Sequence, residues 1–439
     1  MNTLYFLTDD LRLEDNPTLV AALGSKTLTF VFCIDEKNFL TDRFGNRKIG
    51  VHRWRFVRES LLDLMSALSH HGQTVNIIPG NPEEVLSGLL ASRRFDRLIR
   101  SRQHAVSKVA VWQHLCSKFP DVRFDEYDCS TLYSLNSIQF AKSFPETFSQ
   151  FRRNLDGEPF RELVSEPKSI PKASSYEIDG RLIEWPDKKS TARGGARNGK
   201  EHLNAYFETE AASTYKETRN ELSGNFFSTG FSPWLAQGCL SPMQIFSKLQ
   251  NFERANGANE STRWILFELM WREFFRWHAN HHGQGLFEFS GINGRRPLTS
   301  FYRERFLSWC NGNTPWPIVN ACMNELRETG ALSNRGRQIV ASALVNELGL
   351  DWRCGAGYFE EALLDYDQCS NWGNWQYIAG VGSDPKGGRH FNLDKQAELW
   401  DADNSYRRRW AGDGSGKPLD RLDYYGWPKE GEAGDSPET

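Results

Sequence analysis

Between Asn334 and Tyr377 the chain gathers residue types that bind flat polar rings. Ser333-Asn334-Arg335-Gly336-Arg337-Gln338 sets two fixed cations among side-chain amides, and Leu350-Asp351-Trp352-Arg353 adds an indole. The run Leu364–Tyr377 carries Asp365 and Asp367, the amide Asn371, Trp375 and Tyr377. Arginines and amides recognise ring edges and phosphates. Indoles beside them stack on flat rings or pass electrons. The mixture suits a large aromatic ligand with a charged tail better than it suits hydrolysis. A Trp-rich helical core with solvated charges between is the other reading of the same residues.

Two further clusters carry chemistry. Tyr215-Lys216-Glu217-Thr218-Arg219-Asn220 precedes Ser228-Thr229-Gly230-Phe231-Ser232-Pro233-Trp234. A proline here marks a helix start, where free N–H groups and hydroxyls hold a phosphate or simply cap the helix. In Glu268-Leu269-Met270-Trp271-Arg272, the residues Glu268, Trp271 and Arg272 share one helical face at i, i+3 and i+4. A Glu–Arg pair at that spacing is ordinarily a solvated surface pair, but an indole between them points to the wall of a site. His278, His281 and His282 lack the glutamate of a zinc-protease motif and read as a surface cluster, with no metal.

The elements that must position these residues fall into two patterns. Residues 1–130 alternate short β-branched or aromatic runs (Leu4–Leu7, Leu28–Ile34, Val75–Ile78, Arg97–Ile99, Val122–Phe124) with helical periodicity. Val51, Trp54, Val57, Leu61, Leu64 and Leu68 form the clearest apolar helix face. Strands separated by helices predict a five-stranded parallel α/β sheet, Rossmann-like, with any ligand beyond the strand C-termini. No GxGxxG or Walker loop is present. Residues 131–200, interrupted by Pro159, Pro167, Pro171 and Pro186, read as a connector. Residues 201–410 read as an all-α domain, with helices over Leu203–Tyr215, Pro242–Glu253, Ser261–His278, Pro317–Thr329, Gln338–Leu348 and Gly357–Leu364. The tail 411–439, rich in Gly, Pro and charge, reads as loosely held.

Composition narrows the function classes. Net charge is −3 over 439 residues, so nucleic-acid binding needs a local basic patch. Aromatics make up 13% of the chain, including 15 Trp, which leaves rings for stacking beyond the core. Eight cysteines occur with no CxxC pair, which disfavours zinc ribbons and clustered iron–sulfur ligands. No apolar run is long enough for a signal peptide or a membrane span, so a cytoplasmic protein without a membrane partner is expected.

From Asp10-Leu11-Arg12-Leu13-Glu14-Asp15-Asn16-Pro17 to about Trp410, these motifs together resemble the photolyase/cryptochrome flavoprotein family, most of all its DASH branch. The resemblance implies an α/β antenna domain, a long linker and an all-α C-terminal FAD-binding domain. It assigns Tyr215, Ser228, Thr229, Gly230, Phe231 and Ser232 to the FAD phosphates and ribityl chain. It assigns Arg272, Arg337, Asp365 and Asp367 to the flavin, and Asn371 to the position facing flavin N5, where photolyases and DASH proteins place an amide. Glu268, Trp271, Asn334, Gln338 and Tyr377 match positions near a flipped pyrimidine dimer. Arg219 and Arg335 are candidates for the strand backbone. The implied activity is light-driven electron transfer from reduced FAD to a cyclobutane pyrimidine dimer, preferentially in single-stranded DNA, with the cofactor doing the chemistry.

Two departures bear on that expectation. Trp375 and Trp352 match the first two members of the family's tryptophan chain, but Thr299 falls where the third belongs. Trp309 or Trp316 is a substitute or an ordinary core residue. A methenyltetrahydrofolate antenna is expected, although Asp156 stands one methylene short of the glutamate that holds it. A monomer is expected. The rival reading is a blue-light sensor that binds nucleic acid or a protein and repairs nothing. A (6-4) photolyase is disfavoured, because no histidine lies within Asn334–Gln338.

Overall fold

The β-branched and aromatic runs of the first third form five strands: β1 (Asn2–Phe6), β2 (Thr27–Ile34), β3 (Val75–Pro79), β4 (Arg97–Ser101) and β5 (Arg123–Tyr127). All neighbours pair in parallel, in the order β3-β2-β1-β4-β5. This computed structural model describes residues 1–42, 45–134, 138, 140, 144–174, 192–384 and 387–412. The helix Val51–Ser69 buries Trp54, Val57, Leu61, Leu64 and Leu68, five of the six residues predicted for its apolar face. β5 begins one residue after the predicted Val122, whose N–H instead closes a turn onto the Phe119 carbonyl at 3.1 Å.

The sheet's C-terminal edge, where the fold predicts a ligand, is filled by the chain itself at β1. The Tyr5 hydroxyl donates to Asp10 at 2.6 Å, and the Thr8 N–H donates to the same carboxylate at 2.9 Å. Arg12, 2% exposed, donates to the carbonyls of Glu14, Gly238, Asp15 and Cys129. One guanidinium thus joins the β1 loop, the end of the sheet and the helical half. The joint is so close that a Cβ on Gly238, at φ +66°, would lie 2.0 Å from the Asp9 carbonyl oxygen, a contact only glycine permits.

The second half is helical. Among its described residues the single β contact is an isolated bridge between Ser300 and Leu350. Its longest helix, Glu260–His282, starts on an Asn259/Thr262 capping box and buries residues on several sides, so it runs through the core. Against it pack Ala211–Thr218 and Gln368–Ala379. Gly373 allows the closest part of that contact, since a Cβ there would meet the Phe275 ring at 2.3 Å. Pro317–Thr329 forms as predicted. No described helix is long and apolar enough to cross a membrane.

Three predicted helices differ. That over Gly357–Leu364 is instead Trp352–Ala362, begun where Asp351 accepts the Arg353 N–H. The helix expected over Leu203–Tyr215 is two, Ala196–Phe207 and Ala211–Thr218. Thr209 divides them: its hydroxyl donates to the Tyr206 carbonyl at 2.8 Å and accepts the Ala211 N–H at 3.2 Å. A short polar side chain thereby replaces the backbone ladder for one turn, and the first of these helices begins inside the stretch read as connector. The helix expected from Gln338 begins at Asn334, where the Ser333 hydroxyl accepts the Gly336 N–H at 3.0 Å. Its last turn widens into a π turn over Ala343–Glu347. The histidine cluster is not all surface: His278 is 2% exposed and shares a 2.9 Å hydrogen bond with the Ser383 hydroxyl. Burial, then the charges of His282 and His281, pull it down to about 3. The tail expectation lies outside the described residues from 413 onward.

Candidate functional site

Two helix starts and one long helix build the site. At the first start, Arg337 donates from Nε to the Leu332 carbonyl at 2.9 Å and from Nη2 to both oxygens of Asp365, at 3.0 and 2.8 Å. At the second, Asp367 caps Gln368–Ala379 by accepting the Ser370 N–H at 2.9 Å. Arg276, from the long helix, closes on Asp367 at 2.8 Å. Burial alone raises the Asp367 carboxyl, but the charges of Arg276 and Arg272 outweigh it and hold the group well below the usual range. Asn371, one turn further on, donates its amide N–H to the Ala356 carbonyl at 3.0 Å. That leaves its oxygen as the acceptor it offers elsewhere.

Glu268 and Arg272 do not pair with each other. Arg272 turns toward the domain junction and donates to the carbonyls of Ser130 and Leu235, at 2.6 and 3.2 Å. Burial and the neighbouring Arg276 charge pull its guanidinium below the ordinary arginine range, to about 9. Glu268 is held instead by Arg219 in an ion pair, and by the Trp264 indole N–H at 3.0 Å. The Arg219 guanidinium also lies over the Trp264 ring, 5.0 Å from its centroid. Trp271 is stacked by Phe148, from the helix Phe148–Asn154, at 3.9 Å and 13°, so one indole face is already covered. Tyr377 meets its edge at 6.1 Å and 82°. The Tyr377 hydroxyl accepts from Arg389 at 2.6 Å.

Near this wall the helix start at Asn334 presents groups without partners. Asn334 is exposed, and Arg335 lies over Trp400 at 5.0 Å and over Phe391 at 5.6 Å. The buried Nε of Arg335 and Oε1 of Gln338 hydrogen-bond nothing among the described residues. Burial, and then the Arg219 charge, lower Arg335 from its ordinary value. A buried donor and acceptor without partners are costly until a ligand supplies them.

The loop Ser228–Ser232 lies partly in solvent. Gly230 and Ser232 are exposed, Ser228 and Thr229 are half-buried, and Gly230 takes φ +62°. His202 holds the Thr229 carbonyl at 2.8 Å. Phe231 is core, packed against Tyr206 at 5.3 Å. Tyr215 is buried, and burial, then Glu268, push its phenol up. Asp156 stands apart, exposed, after the helix Phe148–Asn154.

The tryptophans split into two contacts. Trp375 packs on Phe359 at 5.1 Å and on Trp309 at 6.3 Å, and its ring tip fills the space beside Gly355, where a Cβ would stand 2.2 Å from it. Trp352, one turn earlier than Gly355, meets Trp372 at 5.6 Å and 78°. Thr299 lies on the segment paired with the one that leads into Trp352, since the Ser300 carbonyl accepts the Asp351 N–H at 2.7 Å. The expected third indole position holds no ring.

Several contacts were not read from sequence. Trp264 sits four before Glu268, and Arg276 four after Arg272, so helical spacing carried both signals. Trp372, Arg389 and Trp400 reach their partners only through the fold.

Residues 3–168 match the family model described as DNA photolyase, and residues 264–425 match that described as FAD binding domain of DNA photolyase. A protein of Idiomarina loihiensis named Cryptochrome DASH is 47% identical over 436 residues, which cover 97% of this chain and 96% of that one. A Cryptochrome DASH of Vibrio parahaemolyticus is 41% identical over 429 residues, covering 97% and 96%. The solved structure of the Synechocystis cryptochrome shares the fold with a TM-score of 0.89 at 33% identity, covering 96% of this chain and 90% of that one.

Proposed function

Because the chain belongs to the photolyase/cryptochrome family and resembles its DASH cryptochromes, we propose that it is a light-driven repair enzyme. It splits cyclobutane pyrimidine dimers, preferentially in single-stranded DNA. FAD supplies the chemistry when bound: in its reduced form it absorbs light and lends an electron to the dimer.

The donor set fits that cofactor. Arg337 and Asp365 form a fixed pair of cation and carboxylate, and Asp367 is kept ionised by Arg276 and Arg272. These are partners for the polar edge of a fused ring. Asn371 would face ring N5 with its oxygen, because its N–H is committed to Ala356. An acceptor there takes a hydrogen bond from a reduced ring and has no proton to give. The loop Ser228–Ser232, with Tyr215, would hold the phosphates and ribityl chain. Asp156 would hold a methenyltetrahydrofolate antenna. The protein works as a monomer in the cytoplasm.

The observation that carries repair is the set of buried groups without partners beside the Glu268 wall. Arg335 Nε and Gln338 Oε1 have no hydrogen-bond partner among the described residues, and the cost of leaving them so is offset when a phosphate and a base edge arrive. Trp271 and Tyr377 meet edge to face, and the family resemblance adds Glu268 and Asn334 to the lesion side. A flipped dimer is cheaper to extract from a single strand than from a duplex, and half-buried rings with backbone cations suit single strands.

The test is illumination of the reduced, FAD-loaded protein with thymine-dimer oligonucleotides, scored by dimer loss. Repair on single strands exceeding that on duplexes is expected. No loss on either would leave the sensor reading, in which the same flavin answers light without repairing DNA.

A further inference from the structure

Resting on the flavin reading above, the arrangement of rings points to an electron supply that bypasses the missing third tryptophan. The indoles offer two directions to consider. Trp375 itself leads on to Trp309, at 6.3 Å, which is 0% exposed and donates its N–H to the Val340 carbonyl at 3.0 Å. A neutral carbonyl cannot take that proton, and Trp309 is sealed from solvent. A hole that reached it could only return.

The other direction is different in kind. Trp372 meets Trp352 edge to face at 5.6 Å and is only half-buried. Its indole N–H donates to the Tyr366 hydroxyl at 3.2 Å. Burial, and then the charge of the nearby Glu360 carboxylate, push the Tyr366 phenol up. The Arg53 guanidinium lies over the Tyr366 ring, 4.6 Å from its centroid. That cation opposes positive charge on the ring, so the phenol can give up an electron only if its proton leaves too.

We propose that Tyr366 is the terminal electron donor of this chain, feeding Trp352 through Trp372 and passing its phenol proton to Glu360. The balance is one electron and one proton. Loss of an electron to the bound flavin leaves a hole on the indoles. The hole at Trp372 is filled by one electron from Tyr366. The phenol O–H bond breaks, a new O–H bond forms on the Glu360 carboxylate, and a neutral phenoxyl radical remains. An external thiol then returns the electron, Glu360 gives the proton back to the phenoxyl oxygen, and the thiol, now a thiyl radical, loses its own proton to solvent. Burial raises the Glu360 carboxyl from its usual value against the pull of Arg53, which makes the carboxylate a better base.

The test is electron paramagnetic resonance of the FAD-loaded full chain after a blue flash in the presence of thiol. A phenoxyl signal is expected in the parent protein. Y366F should remove it, and W372F should remove it while leaving an indole radical. E360Q should form it about a hundredfold more slowly, the usual value of a positioned base. Flavin reduction without any phenoxyl signal, or a signal unchanged in Y366F, overturns the relay and leaves the flavin reading intact. Should the chain carry no flavin, that reading fails by itself. The relay is then read in the flavin-free chain with a ruthenium(III) photo-oxidant, where a phenoxyl signal unchanged by Y366F and W372F overturns it.

Discussion

The loop after β1 and the cleft between the helix starts at Asn334 and Gln368 contain the same ingredients, buried arginines and carboxylates, in opposite states. After β1 every hydrogen-bonding direction named for Arg12 is taken, by four carbonyls from three parts of the chain. Asp15 is bound by Arg161 at 2.6 and 2.8 Å. In the cleft, Arg335 and Gln338 hold buried atoms with no hydrogen-bond partner among the described residues, and the Arg219 charge helps lower Arg335. A satisfied buried charge is a joint; an unsatisfied one is a place kept for something else. Motif residues alone do not separate the two cases, because Arg12 belongs to the N-terminal motif as surely as Arg337 belongs to the later one.

The largest effect should come from breaking the joint. Arg12→Ala leaves four carbonyls inside without donors and should cost about 3–5 kcal/mol, the range for removing one partner of a buried charged network. Denaturant unfolding measures it. A loss below 1 kcal/mol would mean that the joint is dispensable and that the contrast drawn here is false.

Next in size is Arg337, which holds both oxygens of Asp365. Arg337→Ala should weaken FAD retention by about 1.5–3 kcal/mol, or roughly 10- to 100-fold, as expected for hydrogen bonds to a charged group. Flavin absorbance after dialysis gives the answer, and a variant that stays fully yellow would remove Arg337 from the site.

That pair was placed at the flavin only by the family resemblance, because its partners lie 28 positions apart. The five strands were legible because β-branched runs report burial on both faces of a parallel sheet. What escaped reading was carried by distance in sequence or by one short side chain. Thr209 breaks a helix with its own hydroxyl, although helical periodicity runs on through Tyr215. Glu268 takes its cation from Arg219, 49 positions earlier, in place of the Arg272 that spacing offered. The joint that fills the sheet edge at β1 was not legible, because Arg12 reaches Gly238, 226 positions away, and no local pattern marks that contact.

A third change tests whether the cleft's idle arginine belongs to binding and not to the fold. Arg335→Ala should shift the unfolding midpoint little, while binding to single-stranded DNA weakens about tenfold and the salt slope drops by about one phosphate's worth. Titration at two salt concentrations separates the outcomes. Lost stability with unchanged binding would turn Arg335 into a second Arg12.

The smallest expected effect is the most diagnostic, because it has opposite signs in the two regions. For Asp15, burial raises the carboxyl, but Arg161 and Arg12 outweigh it, so its folded value lies below the ordinary one. Its contribution is present above the unfolded value, near 3.8, and is lost as pH falls through the depressed folded value. For Glu268, burial wins over Arg219 and the Trp264 hydrogen bond, so the folded value is raised above 4.5. Its contribution is complete below 4.5 and is lost as pH rises through the raised value, so at neutral pH the ionised group opposes the fold. Asp15→Asn should therefore remove part of the acid limb of stability and lower the plateau at neutral pH. Glu268→Gln should raise the neutral plateau by about 0.5 kcal/mol, kept small because solvent screens a carboxylate whose side chain is 34% exposed. Thermal unfolding of both variants from acid to neutral pH provides the comparison. If Glu268→Gln instead destabilises at neutral pH, its ion pair with Arg219 is a joint like that of Arg12. The cleft would then have no strained acid waiting for a ligand.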